Sequence, residues 1–233
     1  KRSADVFFSK VFSILLIFLL SFLILAEIFM PYLVKLLAPG FNTNPEKIVL
    51  AVNLSRLTFP FLLFICLTSL MGAYLNTLGK FASMAVTPII LNLSIISVLI
   101  FLFNDGDQVH ISKHLSISVS VAGVIQLIWM YFNLKNKNIS LSINLSNLFT
   151  VNKETQSFFK LLLPAILGNG AYQINLLIDM ILASTLPDGS ISYLYYADRV
   201  NQLPLGVLGI AIGTALLPLI SMNIKKKEVS KAN

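Results

Sequence analysis

An aspartate and an arginine, Asp198 and Arg199, stand side by side within residues 190–218, a stretch apolar enough to cross a bilayer. About 20 residues suffice for that crossing. If the helix starts at Ser190, Arg199 lies ~14 Å along it, close to the bilayer midplane. A guanidinium at that depth is costly and normally faces a polar cavity or a partner. At 100° per residue, Tyr195, Asp198, Arg199, Gln202, Gly206, Gly209 and Gly213 fall within an arc of roughly 100°. That face is polar in its first half and small in its second, while Leu, Ile and Val fill the opposite one. The chemistry on offer is non-covalent: lipid on one side of the helix, something wet or anionic on the other. Pro204 removes one backbone hydrogen bond and is expected to kink this helix.

The preceding apolar stretch repeats the pattern. Asp179 lies roughly 10 Å from its end at Leu186, and Gly168, Tyr172, Asn175, Asp179 and Ala183 share one face. A turn at 187–189 joins the two helices, so each presents an ionisable group at similar depth. Two readings stay open: a structural clamp between Asp179 and Arg199, or a site that uses them separately. Asp198 and Arg199 make a poor pair with each other, because helical neighbours do not face one another. Gly209 and Gly213 have the spacing of close helix packing. His110 and His114, at i,i+4, have metal-ligand spacing but sit beside Asp105, Gly106 and Asp107 in what reads as a solvated exterior loop. The sequence shows no Ser-His-Asp set, cysteine cluster, Asp-rich metal motif or phosphate-cradling glycine loop. Bond-making chemistry has no support, and the chain is not read as an enzyme.

The elements that must carry these residues follow from composition. Of 233 residues, 56% are hydrophobic and 12% charged, which predicts an all-α integral membrane protein. Six spans are expected, at 11–30, 57–78, 81–103, 115–134, 158–186 and 191–222, with a short interfacial helix at 31–41 closed by Pro39 and Gly40. Four spans occupy 1–140, a cytoplasmic connector 141–157, and two spans with a basic tail 158–233. Twelve of the 17 Lys and Arg residues then lie on the starting side and four on the other, with Arg199 intramembrane. The positive-inside rule places both ends in the cytoplasm. The net charge of +7 is therefore topological and no nucleic-acid partner is expected. The single cysteine, Cys66, lies in an apolar run and leaves no disulfide framework. With Lys1 in first position and no signal peptide visible, the chain is read as an internal piece of a longer one.

Several stretches resemble the MurJ (MviN) lipid II flippases, in order and over essentially the whole chain. They are LLAPGF at 36–41, Thr58-Phe59-Pro60, GAYLNTLGKF at 72–81, TPIILN at 87–92, PAILG at 164–168, residues 173–184, and above all YYADRVNQLP at 195–204. The family belongs to the superfamily of multidrug, oligosaccharidyl-lipid and polysaccharide exporters. The resemblance implies a two-lobe bundle of fourteen helices around a central cavity, of which this chain matches the third to the eighth. It implies residence in the bacterial cytoplasmic membrane and movement of lipid II, the undecaprenyl-diphosphate-linked peptidoglycan precursor, from inner to outer leaflet.

By the same resemblance Arg199 faces the cavity and meets the diphosphate, in company with Tyr195, Asp198 and Gln202. Gln202 stands where some relatives carry an acid. Arginine suits the role, since its planar fork matches phosphate oxygens and keeps its charge. Some members bind sodium at an acidic residue that Asp179 matches, and Asn175, one turn earlier, offers a further oxygen; no other cofactor is implied. The partners implied are lipid II, membrane lipids and the family helices this chain lacks. Two other readings remain: an exporter of another lipid-linked glycan or a small molecule from the same superfamily, or a non-transporting remnant of a split gene.

Overall fold

The computed structural model describes residues 2–103, 106–137, 139, 141 and 153–204. It divides into two compact units, 1–177 and 178–233, each taken by itself below. The described secondary structure is helical throughout. Five helical segments are long and apolar enough to cross a membrane: Ala4–Leu37, Pro45–Thr77, Ala82–Phe101, Gln108–Lys135 and Ile166–Ser184. These correspond to the first five expected spans. The second half of the sixth, with Gly206, Gly209, Gly213 and the consequence of Pro204, lies outside the described residues, as does most of the connector at 141–157.

In the first unit, α1 (Arg2–Leu37) is a single 36-residue helix. The expected interfacial helix at 31–41 is therefore corrected: α1 runs straight through Pro31, and a 3₁₀ turn (Pro39–Thr43) follows it. Proline at 31 cannot donate to the carbonyl of Glu27, four residues back. Arg56 supplies a donor instead, its Nη2 lying 3.3 Å from that carbonyl. Such replacement is what lipid demands of a freed backbone group.

Helix α2 (Pro45–Thr58) starts well before the expected 57, because Asn44 caps it. The Asn44 side chain accepts from the amides of Glu46 and Lys47, each at 3.1 Å, and Pro45 sits where its missing N–H costs nothing. Helix α3 (Pro60–Thr77) follows at Pro60. It ends at Gly79, whose φ of 72° a residue with a Cβ adopts at a cost.

The third span is broken. A single turn, α4 (Ala82–Ala85), and α5 (Thr87–Phe101) meet at Val86, just before Pro88. The carbonyls around the break find side chains. Thr87 Oγ1 donates to Met84 O at 2.9 Å, Trp129 Nε1 to Ser83 O at 3.0 Å, and Gln126 Nε2 to Thr87 O at 2.8 Å. The Ser83 hydroxyl also donates to Asn133 Oδ1 at 2.8 Å. Gln126, Trp129 and Asn133 recur at i, i+3 and i+7 on α6 (Gln108–Lys135), so one stripe of that helix holds the break.

Helix α6 begins at 108 rather than 115 because Asp107 caps it, accepting from Val109 N and His110 N at 2.9 and 3.2 Å. His110 and His114 are consequently on a helix and not in a loop. Their rings meet edge to face at 4.2 Å, and His114 Nδ1 lies 3.0 Å from His110 O. Helices α3 and α6 run in the same direction, for Gly123 abuts Phe64 while Gly72 abuts Met130. Between them lies the core: Leu63, Leu67, Met71, Leu75, Met130 and Leu134, with Phe8, Phe12 and Leu19 from α1. At the start of α1, Asp5 accepts the Tyr74 hydroxyl, and Phe8 stacks on the Tyr74 ring at 4.2 Å.

The division between the units falls within α7 (Lys153–Ser184). In the second unit, the last turns of α7 pass through a turn to α8 (Ser190–Pro204). Gly189, with φ of 96°, makes the reversal; its position lies against the Tyr193 ring.

Candidate functional site

The polar face expected on the last helix exists. Gln202 Nε2 donates to Asp198 Oδ2 at 2.7 Å, and Arg199 Nη1 donates to Gln202 Oε1 at 3.2 Å. One amide thereby joins two charges that are adjacent in sequence and cannot reach each other well around the helix. Its N–H end meets the carboxylate and its oxygen the guanidinium, so the amide dipole lies along the field between them. On the other side, one turn back, the Tyr195 ring lies beneath the guanidinium, 5.0 Å from Cζ to ring centre. That contact leaves the edge donors of an arginine available. Arg199 and Tyr195 are exposed, while Asp198 and Gln202 are half-buried.

Asp179 occupies a different setting. It is half-buried at the wall of a groove of about 500 Å³, lined also by Leu182, Ala183, Leu186, Ser190, Tyr193, Leu194 and Ala197. Apart from Asp179, the polar side chains here are Ser190 and Tyr193, and Ser190 Oγ already donates to Pro187 O at 2.7 Å. A hard cation wants several oxygens. The described side chains of the lining offer a carboxylate and two hydroxyls. Among the described residues no cluster of three or more His, Cys, Asp or Glu could hold a metal.

The expected site residues thus fall into two groups. Tyr195, Asp198, Arg199 and Gln202 form one connected network on α8. Asp179 opens on the groove between the two ends of the hairpin. Asn175 is exposed on α7, one turn before Asp179, in the other unit. The described contacts of Arg199 are with Gln202 and Tyr195, and the clamp with Asp179 is not among the described ion pairs. Tyr193 and Ser190 were not singled out from sequence. The small-residue recurrence of Ser190 and Ala197, two turns apart with Tyr193 and Leu194 between, marks the face that meets Asp179.

Comparison with known proteins settles the kinship. The family model described as "Lipid II flippase MurJ" matches residues 1–233. The chain belongs to the MurJ family. A protein of Rhizobium tropici, named "Probable lipid II flippase MurJ", is 40% identical over 234 residues, covering 100% of this chain and 42% of that protein. The relative from Rickettsia prowazekii (strain Madrid E), under the same name, is 37% identical over 235 residues, with 100% and 44% covered. That from Rhizobium meliloti (strain 1021) is 36% identical over 228 residues, with 97% and 42% covered. The chain therefore spans less than half the length of these MurJ relatives. Membership agrees with the several apolar helices in making this a multi-pass membrane protein, and the YYADR stretch lies wholly inside the matched region.

Proposed function

We propose that this chain is the central portion of a transporter that carries lipid II from the inner to the outer leaflet of the bacterial cytoplasmic membrane, with both ends of the segment in the cytoplasm. The observation that carries the reading is the state of Arg199. It is an exposed guanidinium on α8, held by Gln202 and Tyr195, in a chain matched end to end by a flippase family.

A diphosphate entering a low-dielectric core needs fixed cationic partners, since its charge loses water faster than protein dipoles replace it. Arginine offers five N–H donors in a plane. Among the described residues Gln202 takes one, leaving an edge free for two phosphate oxygens. Tyr195 and Gln202 orient that edge, and the Gln202 N–H turned toward Asp198 reduces the repulsion between that carboxylate and the anion. The polyprenyl tail stays in lipid. Rocking of one helix bundle against another would expose the site to each side in turn. Sodium at Asp179 and Asn175 belongs to this proposal only with further oxygens from beyond the described residues.

Binding tests the reading without transport. The complete protein, purified in detergent, is mixed with lipid II or an undecaprenyl diphosphate and the complex counted by native mass spectrometry. Arg199→Ala should lose at least about tenfold in affinity, a charge-assisted bidentate contact being worth about 1.4 kcal/mol or more. Arg199→Lys should recover little, because a point charge lacks the fork. Unchanged affinity in Arg199→Ala would refute the assignment.

A further inference from the structure

Two of the most deeply buried polar side chains lie far from Arg199 in the chain, on α3 and α6. Gln126 is 1% exposed and Thr68 0%. The amide of Gln126 has a fixed sense, since Nε2 donates to Thr87 O at 2.8 Å; the opposite flip would set oxygen against oxygen. Its Oε1 is therefore an acceptor, and among the described residues it has no hydrogen-bonding partner; neither has Thr68 Oγ1.

The two atoms belong to one place. A Cβ on Gly123 would lie 2.9 Å from Phe64 Cβ, and one on Gly72 would lie 3.3 Å from Met130 Cε. Thr68 is midway between Phe64 and Gly72 on α3. Gln126 falls midway between Gly123 and Met130 on the parallel α6. Both therefore sit at the same level of the same interface, one turn from Met71 and Met130, which are 1% and 0% exposed.

The chemistry of the pair selects its guest. Gln126 Oε1 requires a donor, while a threonine hydroxyl both donates and accepts. A hard cation would need several oxygens, and the remaining surroundings are the leucines and methionines of the core. A water molecule supplies two O–H donors and two acceptor sites and is stable with two to four polar partners. We propose that the α3–α6 interface contains an internal hydration site, one water molecule bridging Thr68 Oγ1 and Gln126 Oε1. Through the other end of the Gln126 amide, this water joins α3 to the first residue of α5 at the Pro88 break. Helices α3, α5 and α6 are thereby tied at one level and move as a single body.

X-ray radiolysis of the complete protein in detergent reads the site directly, because hydroxyl radicals form where water is held and oxidise neighbouring methionines. Met71 and Met130, shielded from bulk solvent, should be labelled in the wild type. Thr68→Val, which removes the hydroxyl at constant bulk, and Gln126→Leu should each lose that label. Thr68→Ser, which keeps a hydroxyl, should retain it. In thermal unfolding the Thr68→Val, Gln126→Leu double variant should lose no more Tm than the worse single, since both partners of one bridge are gone. An unlabelled wild type, label persisting in folded Thr68→Val, or additive Tm losses would overturn the proposal.

Discussion

Arg56 completes a helix to which it does not belong: its Nη2 donates to the carbonyl of Glu27, the acceptor that Pro31 leaves without its own N–H. The same guanidinium brings Nε to 3.8 Å from Glu27 Oε2. Both side chains are partly exposed, so the ion pair itself is worth little. The backbone acceptor is the larger matter, because Pro31 leaves that carbonyl without its helical donor. This bond explains how α1 stays continuous through a proline.

Removing the donor should therefore be felt in stability. Arg56→Ala is expected to cost about 1 kcal/mol, the net worth of one hydrogen bond, seen as a lower Tm in detergent. In a Pro31→Ala background the alanine restores the missing N–H, and the same arginine substitution should cost clearly less. Equal costs in both backgrounds would mean that Arg56 acts only through the Glu27 side chain.

Close packing of α3 on α6 gives a second expectation. A methyl group at Gly123 would sit 2.9 Å from Phe61 Cδ2 and from Phe64 Cβ, and the latter cannot rotate away. Gly123→Ala should destabilise by about 1–3 kcal/mol through overpacking. A methyl group at Gly79 would meet nothing within 4 Å, so Gly79→Ala should cost only the left-handed φ, about 1 kcal/mol. A Gly123→Ala protein as stable as wild type would contradict the parallel contact.

Orientation is read at the two ends of α6. Cysteines at Gln108 and Asn136, both exposed, are introduced in a Cys66→Ala background and treated with an impermeant thiol reagent outside intact cells. Position 108 should react and position 136 should not. The opposite pattern reverses the topology inferred from the distribution of Lys and Arg.

Much of the membrane architecture was legible because lipid imposes it: apolar runs of sufficient length became helices at nearly the expected places. The misreadings share a physical cause. Residues 31–41 looked like a separate interfacial helix because Pro31, Pro39 and Gly40 are local stop signals, whereas the donor that overrides Pro31 comes from Arg56 on another helix. Helix starts were set too late at 57 and 115, since apolar content was weighed above the caps Asn44 and Asp107. The stripe of Gln126, Trp129 and Asn133 opposite Ser83 and Thr87 was visible as a spacing, yet its meaning depended on the break at Pro88. At the candidate site, the shared face of Tyr195, Asp198, Arg199 and Gln202 followed from periodicity alone. That Gln202 bridges its two charged neighbours did not, because a side-chain amide gives no sign of its rotamer in sequence.

Asp179 separates two roles by ion dependence. In the complete protein, Asp179→Asn should abolish any sodium dependence of transport if the carboxylate is a ligand, since a neutral amide weakly replaces a charged oxygen for a hard cation. Transport measured in sodium and in potassium gives the answer. Unchanged sodium dependence would leave Asp179 a wall of its groove.

The central claim is that Arg199 meets the cargo rather than holding the fold, and lipid II translocation in cells dependent on the complete protein tests it most directly. Arg199→Ala should fail to move lipid II, and so fail to support growth, at normal abundance in the membrane. A charge needed only to balance Asp179 would behave otherwise, because removing both partners of a buried pair relieves the unpaired charge left by removing one. The Asp179→Ala, Arg199→Ala double variant should therefore remain inactive. Translocation at the wild-type rate in Arg199→Ala, or its return in the double variant, would contradict the account.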